Sequence, residues 1–173
     1  MTTSARLWFV TDPWTLITND DARRLTVAAG EVVVRLPGSV TAGALSIVEF
    51  DLPAHAVGAA AHVHQAHDEG FLVLSGRVQF VLGGSGPAMS DGEVAAPVER
   101  EVVAGESALA WIPRGVRHGF ANPDDTPTKL LGFFSPSGYE TYFVEMAEAI
   151  SRGEVFDSDA LAALRAKYAT VTG

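Results

Sequence analysis

Three of the chain's five histidines lie within six positions, in the segment "HVHQAHDEG", residues 62–70. Side chains two positions apart on a strand point to the same face, so His62 and His64 would project side by side and could share one ion. If the chain turns through "QAHD", Glu69 opens the next strand beside them. The spacing therefore predicts two imidazoles and one carboxylate from a single hairpin, a donor set that binds divalent metal ions.

A fourth candidate ligand lies in the segment "GESALAWIPRGVRHGFAN", residues 105–122. A buried-looking strand ends at Ile112, a Pro-Arg-Gly turn reverses the chain, and His118 follows. Three imidazoles and one carboxylate suit Fe(II), Mn, Ni, Cu or Zn, and the sequence does not choose among these ions. If the ion accepts more than four ligands, these four side chains leave a coordination position open for water, substrate or O2.

The remaining polar residues of this region have a more ordinary interpretation. His67 is out of register with the other two histidines, and we expect it in the turn, facing solvent or a pocket rim. Asp68 is expected to shape that turn. His55, in "LPAHAVG", precedes the hairpin by a loop and is expected at the surface or a pocket rim.

Apolar residues near the candidate ligands could line a substrate pocket. Phe71 and Val73 share the parity of Glu69, and Phe120 shares the parity of His118. The alternative is ordinary core packing, which is the commoner role for such residues, and the two roles can coexist inside a barrel. Core packing is also expected for three strand aromatics and a scaffold role for one amide: Trp111, Phe133, Phe134 and Asn122.

The elements that would position these residues are mainly β. Short runs rich in Val, Ile, Leu and Phe are separated by Gly, Pro and Asp turns, which is typical of sequential antiparallel strands that close a barrel or sandwich. The candidate strands are "RLTVA", "EVVVRL", "ALSIVEFDL", "GFLVLSG", "RVQFVLG", "REVVAG", "ALAWIP" and "KLLGFFSP". After Gly138 the apolar spacing becomes helical and predicts two helices, with the Phe143 and Met146 stripe docking on the barrel or on a second subunit.

Composition excludes several function classes. The 173 residues carry a net charge of −9 and no cysteine, which excludes disulfides, zinc fingers and thiol catalysis. The positive residues are scattered, so nucleic acid is not an expected partner.

The glycine-rich stretch 83–99 lacks a following Lys-Ser or Lys-Thr, which predicts a loop and no nucleotide-cofactor site. Without a recognisable signal peptide or apolar membrane span, we expect a soluble cytoplasmic protein.

Both histidine segments resemble the two sequence motifs of the cupin superfamily. The first reads His-x-His, four residues, Glu69, six residues, Gly; the second reads Pro-x-Gly, two residues, His118, three residues, Asn. The spacing from Gly58 to His62 is shorter than is usual in the family, and that from Gly105 to Pro113 is longer. The helical tail is similar to that of bacterial single-cupin proteins related to quercetin 2,3-dioxygenase.

This resemblance implies a cupin barrel over residues 1–137 and a helical tail over 138–173. It also implies one divalent metal held by His62, His64, Glu69 and His118, and a dioxygenase that acts on an aromatic or enol-containing small molecule. Glu69 would then act both as ligand and as general base, a role that needs a pKa raised by apolar surroundings against the opposing effect of the cation.

Other functions and the assembly state stay open at this stage. The alternative is a non-oxidative cupin: a small-molecule binding module, an isomerase or a lyase, in which the metal polarises a carbonyl. A single cupin unit also leaves sheet edges to be paired or covered. We therefore expect a two-fold homodimer, with the "RLWFV" segment (residues 6–10) or the helical tail crossing over.

Overall fold

The computed structural model describes residues 14–83 and 99–172. Its first strands are β1 (Arg23–Val27), β2 (Gly30–Leu36), β3 (Ser46–Leu52), β4 (Val57–His64), β5 (Asp68–Ser75) and β6 (Arg77–Leu82). They are followed by β7 (Arg100–Gly105), β8 (Leu109–Ile112), β9 (Arg117–Ala121) and β10 (Thr128–Ser135). The chain continues through the helices α1 (Glu140–Ser151) and α2 (Ser158–Lys167) and the short strand β11 (Thr170–Thr172).

These strands form two antiparallel sheets. One has the order β1-β2-β3-β10-β5-β8, and the other has the order β11-β4-β9-β6-β7. Consecutive strands are not always neighbours: β10 lies between β3 and β5, and β9 lies between β4 and β6. This double-sheet arrangement confirms the predicted mainly-β barrel with two helices near its C-terminus.

The hydrophobic core fills the space between the two sheets. Side chains that alternate along β3, β5, β6 and β10 point inward, as the period of two in a strand requires. The core residues with at most 2% exposure include Val48, Leu52, Phe71, Val73, Val78, Phe80, Leu130 and Phe134. The helix α1 packs its Tyr142, Phe143 and Met146 face against this core, which places the tail on the barrel of its own chain.

Most strand predictions are confirmed, but β9, β11 and the first part of β4 were not among the candidate strands. These three segments lack the long Val/Ile/Leu runs of the other strands and contain more Ala, Gly or Thr. β11 pairs with β4 in the register Thr170 to His64, so the C-terminal tail completes a sheet as well as covering the barrel. The segment of residues 6–10 and most of the glycine-rich loop lie outside the described residues.

One expected core aromatic is not buried. Trp111 lies on β8, an outer strand of its sheet in the described structure, and its side chain is 58% exposed. The prediction of core packing for Trp111 was therefore wrong, because strand alternation directs Ile112 inward and its neighbour outward. Phe134 is buried as expected, and Phe133 is half-buried. Asn122 has the expected scaffold role, donating its amide N–H groups to the carbonyls of Pro53 and Thr126.

Candidate metal centre and adjoining cavity

Four side chains from three strands converge at one end of the barrel. His62 and His64 lie at the end of β4, Glu69 near the start of β5, and His118 on β9. Each is at most 4% exposed, and one ligand atom from each lies within 4.8 Å of those from the others. The four predicted ligands are therefore brought together, but not by the predicted hairpin: β4 and β5 lie in different sheets, and the turn between them carries the chain from one sheet to the other.

Hydrogen bonds on the far side of each ring fix the histidine tautomers. Nδ1 of His62 lies 2.8 Å from the Ala60 carbonyl, and Nδ1 of His118 lies 2.9 Å from the Val116 carbonyl. A carbonyl oxygen only accepts, so both Nδ1 atoms carry the proton. Each neutral ring then has a bare Nε2 lone pair, which is the donor that a metal ion requires.

His64 is oriented by a hydroxyl group from the C-terminal tail. Its Nδ1 lies 2.7 Å from Oγ1 of Thr170, which in turn donates to the Tyr168 carbonyl at 3.2 Å. Since that hydroxyl proton is directed at the carbonyl, the imidazole must donate to Oγ1 and leave Nε2 unprotonated. The short strand β11 thus fixes the third ring, a contact that joins residues 106 positions apart.

The ligand atoms face one another without satisfying one another. Nε2 of His62 and Nε2 of His64 are 2.9 Å apart, and both carry lone pairs in the neutral rings. His118 Nε2 lies 2.7 Å from Glu69 Oε2, yet neither atom has an aligned hydrogen-bond partner in the described structure, although both are fully buried. Buried acceptors that converge without partners are unfavourable unless a cation lies between them. The donor set therefore fits a divalent metal ion.

Burial and mutual charge repulsion keep two of the imidazoles neutral. Burial, together with the nearby rings of His64 and His118, lowers the pKa of His62 to about 3. Burial likewise lowers the pKa of His64, although the Glu69 carboxylate opposes this shift. Neutral imidazole is the metal-binding form, so these shifts favour metal binding at neutral pH.

The carboxylate at the centre of the cluster is ionised. Burial alone would raise the pKa of Glu69, but the surrounding His64, His118 and His67 rings outweigh it and hold that pKa well below its ordinary value. In return, the carboxylate raises the pKa of His118 despite that ring's burial. The raised pKa expected for a base at Glu69 is therefore not found, because contacts with the surrounding imidazole rings outweigh the effect of burial.

His67 is buried in the structure, and the expectation that it faces solvent was wrong. It is 4% exposed, and its ring packs against that of Tyr139 in a tilted arrangement, with centroids 4.7 Å apart. Its Nε2 lies 3.4 Å from Glu69 Oε1. Tyr139 from the tail covers the His67 ring, a contact that the local pattern could not reveal. His67 nevertheless does not belong to the four-residue group whose ligand atoms converge.

Asp68 joins the two motif segments instead of only shaping a turn. Its carboxylate accepts hydrogen bonds from the backbone and guanidinium N–H groups of Arg114 at 2.9–3.1 Å, and these bonds lower its pKa. Gly115 N–H also donates to the His64 carbonyl at 2.7 Å. The β8–β9 turn is thereby held against the β4–β5 turn. His55 lies at the surface as expected, 2.7 Å from Asp125.

An apolar cavity of about 270 Å³ opens directly onto the cluster. His62 and Glu69 form part of its wall, and aromatic side chains form much of the rest. Phe50, Phe71 and Phe120 contact one another there, with ring centroids 5.0–6.2 Å apart. A mostly apolar cleft with a few convergent polar groups is the usual form of a small-molecule site.

Two of the three expected pocket residues line this cavity. They are Phe71 and Phe120, whereas Val73 is 1% exposed and lies outside the set of lining residues. Gly58 permits the position of Phe120: a Cβ at this glycine would come within 2.2 Å of the Phe120 ring. The glycine before the histidine pair is therefore required by the cavity wall.

Several cavity residues were not predicted from the sequence to line a pocket. They belong to the C-terminal tail: Tyr139, Tyr142, Phe143, Met146, Leu161 and Arg165. The available signal was helical spacing, because Arg165 follows Leu161 by four positions and Tyr142 precedes Met146 by four, which places each pair on one helix face. The tail therefore forms one wall of the cavity in addition to packing on the barrel.

The fold is a double-sheet barrel, and its buried cluster is a donor set that could hold a metal ion. Residues 48–134, half of the chain, match the model of the cupin domain family. The chain belongs to this family. No curated protein sequence matches it at a significant level.

Solved structures show the same fold at low sequence identity. An RmlC-like cupin from Shewanella frigidimarina is 16% identical with a TM-score of 0.54, covering 76% of this chain and 96% of that one. A predicted oxalate decarboxylase from Thermotoga maritima is 15% identical with a TM-score of 0.54, covering 70% and 99%. Drosophila melanogaster CENP-C bound to CAL1 is 15% identical with a TM-score of 0.53, covering 69% and 85%. These similarities establish the fold and no activity.

Within the described ranges, neither α1 nor α2 is long and apolar enough to cross a membrane.

Proposed function

We propose that this cupin is a metal-dependent dioxygenase that acts on an aromatic or enol-containing small molecule. The observation that carries the proposal is the shared wall of the aromatic cavity and the candidate metal centre, formed by His62 and Glu69. A substrate held among Phe50, Phe71 and Phe120 would have an oxygen within reach of the cluster. When bound, a divalent ion supplies Lewis-acid polarisation of that oxygen, and an ion with accessible oxidation states also supplies reactivity toward O2.

The chain itself contributes a proton acceptor and a dry site. The Glu69 carboxylate is ionised at neutral pH and lies in the cavity wall, where it would accept the proton of a substrate enol or phenol O–H group whose pKa a bound metal ion would lower. Two oxygens are available, which lets one accept the proton while the other acts as a ligand. The four candidate ligands are each at most 4% exposed, and this burial strengthens the electrostatic interactions at the cluster.

The size of the cavity favours a compact substrate. Its volume of about 270 Å³ lies just below the range of about 300–1,000 Å³ typical of sites for drug-sized ligands. A molecule of one or two rings therefore fits the proposal better than a large polycyclic one. A flavonol, the substrate class suggested by the quercetinase-like resemblance, is an upper size limit in this account.

Oxygen uptake by defined metal forms tests the proposal. Protein purified without a histidine tag would be reconstituted separately with Fe(II), Mn, Ni, Cu and Zn, and O2 consumption would be followed with a flavonol and with smaller enols and phenols. We expect uptake with at least one redox-active ion and none with Zn, which serves as the matched control. Stoichiometric metal binding without O2 uptake in any form would contradict the proposal and favour the non-oxidative alternative, a binding module, isomerase or lyase.

A further inference from the structure

The side chain of Arg165 is buried in the wall of the cavity. This residue lies in the last turn of α2, is 6% exposed, and lines the same cavity as His62 and Glu69. It is the only Lys or Arg among the described lining residues. A guanidinium group at such a position faces the space that the substrate would occupy.

The charge of Arg165 is not neutralised by the described part of the chain. Within residues 14–83 and 99–172, no carboxylate lies within 4.0 Å of its guanidinium. Its polar neighbour among the described residues is the Tyr142 hydroxyl, a neutral group that can accept from one of the guanidinium's five N–H donors. The C-terminal end of α2 favours a positive charge only weakly. A buried, unpaired guanidinium is unfavourable, and an anion in the cavity would relieve that cost.

We propose that Arg165 binds a carboxylate group of the substrate, so that the substrate class is an aromatic or enol carboxylic acid. This inference rests on the proposed function, because it assigns the second end of the same substrate. A carboxylate matches the planar fork of a guanidinium and carries one charge, equal to the single fixed positive charge in the described wall. A phosphate ester would bring up to two charges to this single partner.

A row of contacting aromatic rings lies between the metal centre and Arg165. The ring centroid of Tyr139 lies 4.4 Å from that of His64 and 5.0 Å from that of Tyr142. Tyr142 in turn contacts Arg165. The guanidinium is therefore separated from the metal centre by two ring layers, a span that an aromatic acid can bridge with its carboxylate at one end and its hydroxyl at the other.

Ligand binding without oxygen tests this assignment independently of catalysis. The probes are 4-hydroxycinnamate, its neutral isostere 4-hydroxycinnamamide, and phenyl phosphate, each titrated calorimetrically into the metal-loaded full chain under anaerobic conditions. We expect 4-hydroxycinnamate to bind about 10- to 100-fold more tightly than the amide, as expected for a charge-assisted hydrogen-bonded pair. Arg165→Gln should remove that preference, and Arg165→Lys should keep part of it. Arg152→Gln, an exposed substitution on the same tail, should leave it unchanged.

The outcomes separate this inference from the proposed function. A preference for the carboxylate that depends on Arg165 supports the assignment even if no O2 is consumed, whereas O2 uptake without that preference supports only the proposed function. Equal binding of the acid and the amide, tighter binding of phenyl phosphate, or no binding of 4-hydroxycinnamate at millimolar concentration would overturn it. A preference that persists in a folded Arg165→Gln protein would overturn it as well, with circular dichroism reporting the fold.

Discussion

The Nε2 atoms of His62 and His64 lie 2.9 Å apart, while the Nδ1 atoms of the same rings donate to the Ala60 carbonyl and the Thr170 hydroxyl. The hydrogen bonds outside the cluster thus force two lone pairs to face each other inside it. This relationship is favourable when a cation occupies the space between them. Four predictions about the metal centre and one about the assembly follow from the structure.

The hydroxyl of Thr170 should matter for metal affinity. Thr170→Val removes the acceptor of the His64 Nδ1–H group, which releases the ring orientation and tautomer. We expect metal affinity to fall about 10- to 100-fold, the usual effect of losing such a supporting hydrogen bond. Competition with a chromogenic chelator measures the affinity. Thr170→Ser keeps the hydroxyl and is the matched control; wild-type affinity in the valine variant would show that β11 does not orient the ligand.

The carboxylate of Glu69 should separate metal binding from turnover. Glu69→Gln keeps three imidazoles and an amide oxygen, so much of the metal should remain bound. The amide cannot accept the substrate's proton, and turnover should fall by at least about 100-fold, the lower end of the contribution of a positioned base. Metal-to-protein ratio and O2 uptake are measured on the same sample. Asp68→Asn should change metal content little. Full activity of a metal-loaded Glu69→Gln protein would rule out the base role.

Acid should destabilise the protein when its metal has been removed. His62 has a pKa of about 3 in the folded chain against 6.5 in the unfolded chain. Between these values the unfolded chain binds more protons, so stability falls as pH drops from about 6.5 toward 3. The lowered pKa of His64 acts in the same direction, and the lowered pKa of Glu69 adds a further loss below pH 4.5. The raised pKa of His118 acts only above about pH 6.5, where it favours folding as pH falls.

Urea unfolding of chelator-treated protein measures this effect. The free energy of unfolding should fall by on the order of 2–4 kcal/mol between pH 7 and pH 4.5. His62→Gln cannot titrate at this position and should show a flatter pH profile. An unchanged free energy of unfolding across this interval would contradict the neutral, buried state of His62.

The outer strands of the two sheets predict a homodimer. On β8, Leu109 is 67% and Trp111 58% exposed, and on β7, Val103 is 52% exposed. Each strand is the last of its sheet in the described ranges, and exposed apolar edge strands favour pairing with a second copy. Light scattering at micromolar concentration should give twice the chain mass of 18.2 kDa. Trp111→Lys should yield a monomer, whereas Val155→Lys, also at an exposed apolar site, should not. A monomeric wild-type protein would contradict this prediction.

Strand parity and one turn predicted His62, His64 and Glu69, which lie on strands that are consecutive in the chain, and the second histidine segment predicted His118. Parity is a local property. It failed for His67 and Trp111, whose burial depends on what covers them. His67 is covered by Tyr139, more than 70 positions away, and the β8 face that carries Trp111 is left uncovered in the described structure. Long-range contacts of this kind leave no local signal.

The same limit applied to the cavity. Thr170 reaches His64 across 106 positions, and the helical spacing of the tail did not show that α2 places Arg165 in the cavity wall. Apolar periodicity identifies which face of a helix is buried, but not the element that it meets. The second wall of the site therefore required the three-dimensional structure.

The metal-to-protein ratio tests the central claim most directly, with His64→Ala and His67→Ala compared side by side with the wild type. These residues are three positions apart and similarly buried, yet only His64 belongs to the converging group. After purification without a tag and loading with a divalent metal, the wild type and His67→Ala should each hold close to one ion per chain, and His64→Ala should lose most of it. Loss of metal in His67→Ala with retention in His64→Ala, or a wild type that binds none of the candidate ions, would contradict the account.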